Sequence, residues 1–223
     1  MSKIIETLDN LEAIIFDFDG VLADSTEIKT QAFGELYSKY GKKVQNLVIN
    51  HHLNNFGLSR FEKFKYFEEI ILKSTYSEEK GQILSREFSR IVVDKVVNSD
   101  WIKGAEKFLN YYYRKLPLFV ASGTPQKELV EIIDQREMTK YFKSIHGTPK
   151  TKSQIINELV EKYNFNPIRV LMIGDALADF RGAKAAGVQF IGRVNVKDNN
   201  IFDKKVLTFS DFNVFFDFDG YLF

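Results

Sequence analysis

The chain contains no cysteine, so disulfide bridges and thiolate metal sites are excluded from the outset. It carries no excess charge either: 31 basic residues face 30 acidic ones, and no block of like sign interrupts that balance. An electrostatic footprint for nucleic acid is therefore missing. No segment approaches the roughly 18 uninterrupted apolar residues of a membrane span. Met1 to Glu12 holds three acids and no apolar stretch of the secretory kind. The expectation is a protein without membrane or nucleic-acid partners, cytoplasmic by default. Low-complexity segments and solenoid-like periods are absent, as is a glycine-rich dinucleotide fingerprint after the first apolar run.

What is present is an ordinary globular balance, 44% apolar and 27% charged over 223 residues. That length suffices for one α/β core, or for a core plus a small inserted domain. The 21 phenylalanines are scattered through periodic segments and read as core packing. Ala13-Ile14-Ile15-Phe16 is a short apolar run, followed later by Leu118-Phe119-Val120-Ala121, Val170-Leu171-Met172-Ile173 and a weaker Val188-Gln189-Phe190-Ile191. Continuous runs of this length predict strands buried on both faces, as in a parallel sheet. The first three end in Asp17-Phe18-Asp19-Gly20, Ser122-Gly123-Thr124 and Gly174-Asp175. Helical patterns over Gln126–Ile133, Ser153–Tyr163 and Ala176–Ala186 separate the later runs. Strand, polar turn and helix in repetition predict a doubly wound α/β fold, whose ligands bind beyond the carboxyl ends of the strands. From about Asp24 to Asp100 only helical periodicity is found, with Ser77-Glu78-Glu79 as a capped start. This stretch is too long for a crossover and predicts an inserted helical domain at 23–100, with the core at 1–22 and 101–223.

Asp17 and Asp19 stand two apart at a strand end, a spacing that puts both side chains on one face of an extended chain. Asp175 and Asp179 join them at the same sheet edge. Four clustered carboxylates repel one another, and oxygen donors of this kind suit Mg²⁺. Ser122 can donate to a phosphoryl oxygen, and either Lys150 or Lys152 can supply positive charge. Taken singly, the acids and Ser122 read as turn and cap residues and each lysine as solvated charge; their order along the chain argues otherwise.

Asp-Phe-Asp-Gly-Val-Leu, Ser-Gly-Thr, a lysine, and Gly-Asp-x-x-x-Asp together resemble the four motifs of the haloacid dehalogenase superfamily. The resemblance spans nearly the whole chain, and the branch holding phosphoglycolate phosphatases and β-phosphoglucomutases is the most similar. It implies a Rossmann-like core with an inserted helical cap. It implies Asp17 as nucleophile, forming an aspartyl-phosphate, and Asp19 as the acid and then the base. Mg²⁺ is implied on the Asp17 carboxylate, the Asp19 main-chain carbonyl and Asp175, with Asp179 as a further ligand or supporting acceptor. Ser122, Gly123 and the lysine would hold the phosphoryl oxygens. Lys150 matches the spacing of many relatives; Thr151-Lys152 directly before a helix matches others, and Lys152 is preferred.

Asp19 argues against dehalogenase and phosphonatase chemistry, which lack that acid, and Asp179 favours hydrolysis over mutase activity. The expected reaction is Mg²⁺-dependent hydrolysis of a small phosphorylated metabolite, a sugar phosphate or phosphoglycolate-like acid. The alternatives are a β-phosphoglucomutase-like mutase or a nucleotide monophosphate phosphatase. A response-regulator receiver is disfavoured by the helical insertion, and a dead scaffold by the intact acids. Substrate choice is expected in the cap, with Ser59 and Arg60 after Gly57 as candidates. His51, His52 and His146 read as structural. A second Phe216-Asp217-Phe218-Asp219-Gly220 reads as a terminal segment packed through its phenylalanines. A monomer or weak homodimer is expected.

Overall fold

The computed structural model describes residues 7–8, 10–196 and 199–216. The chain opens with β1 (Ala13–Phe16), buried along its length. It continues into α1 (Thr26–Leu36), α2 (Lys42–Leu53), α3 (Arg60–Tyr66, continued by a wider turn over Phe67–Ile71) and α4 (Glu78–Val97). The chain then runs through α5 (Ala105–Tyr112), β2 (Leu118–Pro125), α6 (Gln126–Gln135), β3 (Ser144–Thr148), α7 (Lys152–Tyr163), β4 (Val170–Gly174), α8 (Leu177–Ala185), β5 (Gln189–Arg193) and β6 (Leu207–Phe209).

Among the described residues six strands form one sheet in the order β3-β2-β1-β4-β5-β6, with each of the five strand pairings parallel. Because side chains alternate along a strand, β1 feeds two cores. Ile14 and Phe16 join the cluster of Phe108, Phe212 and Phe215 under α5, with Phe16 edge-on to Phe108 at 6.1 Å between centroids. Ala13 and Ile15 meet Ile155, Ile156 and Leu159 of α7. Removing a side chain as buried as Phe16 costs about 3–5 kcal/mol.

The helical segment has aromatic packing of its own, centred on Phe33, whose ring lies 5.7 Å from Phe67 and 4.3 Å from Phe88. Ser77 caps α4 by accepting from the Lys80 amide at 3.1 Å. The chain leaves and re-enters the sheet side by side: Asp24 N donates to Asp100 O at 2.9 Å, and Ile102 N to Leu22 O at 3.0 Å. Among the described residues no helix is long and apolar enough to cross a membrane.

Two strands were invisible as apolar runs. Ser-Ile-His-Gly-Thr of β3 lies at the sheet edge and is mostly half-buried, so it needs no continuous apolar signal. At the opposite edge β6 is three residues long. Phe216 is buried; the rest of the second Phe-Asp-Phe-Asp-Gly lies outside the described residues.

Candidate active site

Register decides what meets at the sheet's carboxyl edge. Phe16 pairs with Val120 on one side and Ile173 on the other, so the residues just beyond them converge. Asp17 N donates to Ile173 O at 2.9 Å, which pins Asp17 beside the end of β4. One carboxylate oxygen of Asp17 accepts from the Phe18 amide at 2.7 Å. The other accepts from Lys152 Nζ at 2.8 Å.

Lys152 is the first residue of α7, placed there by a capping box in which Thr151 and Gln154 bond reciprocally. Its ammonium also pairs with Asp179 Oδ1. The second Asp179 oxygen accepts from the Ala176 amide at 2.9 Å, at the start of α8. Asp17, Asp175 and Asp179 each offer an oxygen within 4.8 Å of the others. Gly20 makes room for this cluster: its φ is +74°, and a Cβ there would lie 2.0 Å from Asp175 Oδ2.

Three acids share one ammonium here. Burial pushes the Asp17 carboxyl up, Lys152 pulls against it, and Asp179 and Asp19 add to the rise. Asp175 is raised well above its ordinary value by burial and then by Asp17 and Asp179. Burial works against the Lys152 ammonium, but Asp17 and Asp179 override it and hold the proton firmly. A buried, oxygen-only cluster with too little positive charge fits a hard divalent cation such as Mg²⁺.

The Asp19 carboxylate is not one of the three that approach within 4.8 Å, but it borders the same small cavity as Asp17 and Asp175. After Phe18 the backbone folds back, with the Leu22 and Ala23 amides both donating to Phe18 O. The Asp19 carboxylate is ion-paired with Lys29 and accepts from Ser25 Oγ at 2.6 Å and Thr124 Oγ1 at 3.1 Å. Burial works to raise its pKa, and Lys29, Ser25 and Thr124 outweigh it, so the carboxyl lies below its ordinary range.

Ser122 is buried, and its Oγ accepts from the Thr124 amide at 3.1 Å. With Gly123 it borders both a small cavity of about 70 Å³ over Asp17, Asp19 and Asp175 and a cleft of about 1020 Å³ that reaches Lys152. The helical segment closes over this edge at Gly57, which has a φ of +82° and whose added Cβ would lie 2.8 Å from Ala178 Cβ.

Lys150 and Ser59 border the large cleft and Arg60 the small cavity, and each has a partner of its own. Lys150 lies outside the cluster, exposed and paired with Glu158 at 2.5 Å, because the helix start turns it to solvent. Ser59 is spent on capping: its Oγ accepts from the Glu62 amide at 3.3 Å and donates to Glu62 Oε2 at 2.7 Å. Arg60 is neither exposed nor free. It is 5% accessible, forks onto Glu128 of α6, and lies 4.6 Å above the Phe88 ring.

Sequence reasoning gave no individual role to Lys29, Thr124 or Lys63, and read His52 as structural. Lys29 lies ten residues beyond Asp19, and no local spacing marks it. Lys63 and His52 both border the small cavity, with Lys63 Nζ 2.9 Å from His52 Nδ1. His51 stacks on Tyr66 at 3.9 Å, and His146 bonds to Ser144 at 2.7 Å; both stand away from the acids.

A family model described as haloacid dehalogenase-like hydrolase matches residues 14–193. A phosphorylated carbohydrates phosphatase from Thermotoga maritima is 24% identical over 188 residues, covering 81% of this chain and 84% of its own length. Among solved structures, a β-phosphoglucomutase from Clostridium difficile superposes with a TM-score of 0.74 at 24% identity, over 94% of each chain. CbbY from Rhodobacter sphaeroides, in complex with phosphate, superposes with a TM-score of 0.73 at 18% identity over 90% of this chain and 94% of its own.

Proposed function

We propose, since this chain belongs to the haloacid dehalogenase-like hydrolase family, that it is a divalent-cation-dependent phosphatase of small phosphorylated metabolites, with Asp17 as the nucleophile. The observation that carries this reading is Lys152 seated between Asp17 and Asp179, with Asp175 beside them. The Thermotoga relative is named for phosphorylated carbohydrates, which supports sugar phosphates as the substrate class.

An Asp17 oxygen attacks phosphorus, forming the acyl phosphate as the bond to the alcohol oxygen breaks. Asp19 gives a proton to the departing alkoxide and takes one from the water that cleaves the intermediate. Its ion pair with Lys29 favours the second, basic task. Lys152 holds Asp17 in place and stabilises phosphoryl charge, with Ser122 and Gly123 bordering the same space. A divalent cation on Asp17, Asp175 and Asp179 would neutralise the phosphoryl oxygens and ease approach of the carboxylate. Residues 23–100 act as a cap on the core of 1–22 and 101–223, excluding water where Gly57 meets the α8 start.

Phosphate release from a panel of small phosphomonoesters, with Mg²⁺ or EDTA, tests this for wild type and Asp17→Asn. Metal-dependent release that disappears in Asp17→Asn is the expected result. Release that persists in Asp17→Asn refutes the nucleophile, and isomerised sugar phosphate without free phosphate assigns a mutase instead.

A further inference from the structure

Each cation around the small cavity has a carboxylate partner except one. Lys29 pairs with Asp19, and Arg60 with Glu128. Lys63 is 3% accessible and lines that cavity, yet it enters no ion pair among the described residues. Its contacts are His52 Nδ1 at 2.9 Å and the face of the Phe33 ring at 5.4 Å. A buried ammonium without a counter-ion is strongly unfavourable. The absence of such a counter-ion in a cavity that also holds Asp17 points to a ligand as the missing partner.

His52 supplies a second, independent sign. It is also 3% accessible and lines the same cavity, and its Nε2 is buried without a hydrogen-bond partner. Burial and then Lys63 hold its pKa down at about 2, so the ring is neutral. A neutral ring that accepts from the Lys63 ammonium at Nδ1 carries its proton on Nε2. An ammonium without a counter-ion and an unpartnered ring N–H therefore belong to one buried wall, and buried donors of this kind are ordinarily satisfied.

We infer that Lys63 and His52 form a subsite for a second anionic group of the substrate, a carboxylate or a further phosphate borne on carbons away from the ester being cleaved. This rests on the phosphatase reading of Asp17. It replaces Arg60, whose charge is taken up by Glu128, with Lys63 as the cap's substrate-facing cation. The cavity of about 70 Å³ admits on the order of five water-sized groups, so the two anionic ends are joined by a short chain. Such an anion gives Lys63 its counter-ion and accepts from His52 Nε2. Without it, burial and then Lys29 pull the Lys63 ammonium down to about 7.

The test compares kcat/KM for three short phosphomonoesters that differ at the far end: a carboxylate, a second phosphate and a neutral hydroxyl. Wild type is expected to prefer an anionic end, and the arm with the higher value tells carboxylate from phosphate. In Lys63→Met the anionic-to-neutral ratio falls by about 10- to 100-fold, the loss of a charged hydrogen bond. Lys63→Gln, which keeps a neutral donor, falls between. A wild-type ratio near unity, or a ratio that neither substitution moves in folded enzyme, overturns the subsite. Asp17→Asn run in parallel separates the two readings, because turnover that survives it defeats the nucleophile and leaves the ratio to be judged alone.

Discussion

Replacing Glu128 by alanine strands the Arg60 guanidinium in the interior. The two side chains are 4% and 8% accessible, so water cannot replace the lost carboxylate. Arg60 Nη1 donates to Glu128 Oε2 at 2.8 Å and to Ser89 Oγ at 2.9 Å. Its remaining oxygen neighbours, the hydroxyl and carbonyl of Ser85, are at 3.4 Å and carry no charge. Removing one member of a buried pair costs about 3–5 kcal/mol. For a chain of this size each kcal/mol moves Tm by roughly 2–4 °C, so Glu128→Ala should melt about 6–20 °C below wild type. Arg60→Met with Glu128→Leu removes both charges while keeping apolar volume, and should recover most of that loss. Differential scanning calorimetry of wild type, Arg60→Met, Glu128→Leu and the double variant closes a double-mutant cycle, with Glu128→Ala melted alongside. A Glu128→Ala protein within a degree or two of wild type, or a double variant less stable than the single, would refute the reasoning. Activity gives a second readout: the pair ties α3, which carries Lys63, to α6 of the core, so KM should rise in Glu128→Ala.

Lys63 also predicts a pH dependence of stability. Its folded pKa of about 7 lies below the ordinary 10.5, so between these values the unfolded chain holds more protons and stability rises with pH. The advantage of Lys63→Met over ligand-free wild type in urea unfolding should be largest at or below pH 7 and shrink by about 2 kcal/mol by pH 9; a pH-independent difference contradicts it. Lys150→Ala, which breaks an exposed pair, should cost under about 1 kcal/mol and leave phosphate release near wild type, whereas Lys152→Ala should abolish release; equal losses would refute the placement. Gly20→Ala forces a Cβ to within 2.0 Å of Asp175 Oδ2 at a φ of +74°, and should weaken Mg²⁺ binding by calorimetry at least tenfold; unchanged affinity would mean Asp175 is not a ligand.

The strand-end acids were legible because β1 and β4 are buried on both faces and announce themselves as apolar runs, with Asp17 and Asp175 following directly. The partnerships were not. Arg60 and Glu128 lie 68 residues apart, and Lys29 and Thr124 lie 95 apart, distances at which sequence periodicity is silent. The choice between Lys150 and Lys152 carried a readable clue: Thr151-x-x-Gln154 is a capping box, which fixes the helix start and turns Lys152 inward.

The central claim is that phosphoryl transfer passes through Asp17. Mixing the enzyme with Mg²⁺ and a preferred substrate, quenching in acid within a turnover and mapping peptides by mass spectrometry tests it most directly. The mechanism predicts a phosphoryl adduct on Asp17, lost when EDTA replaces Mg²⁺ and in Asp17→Asn. An adduct on any other residue, or full turnover by Asp17→Asn, would contradict it.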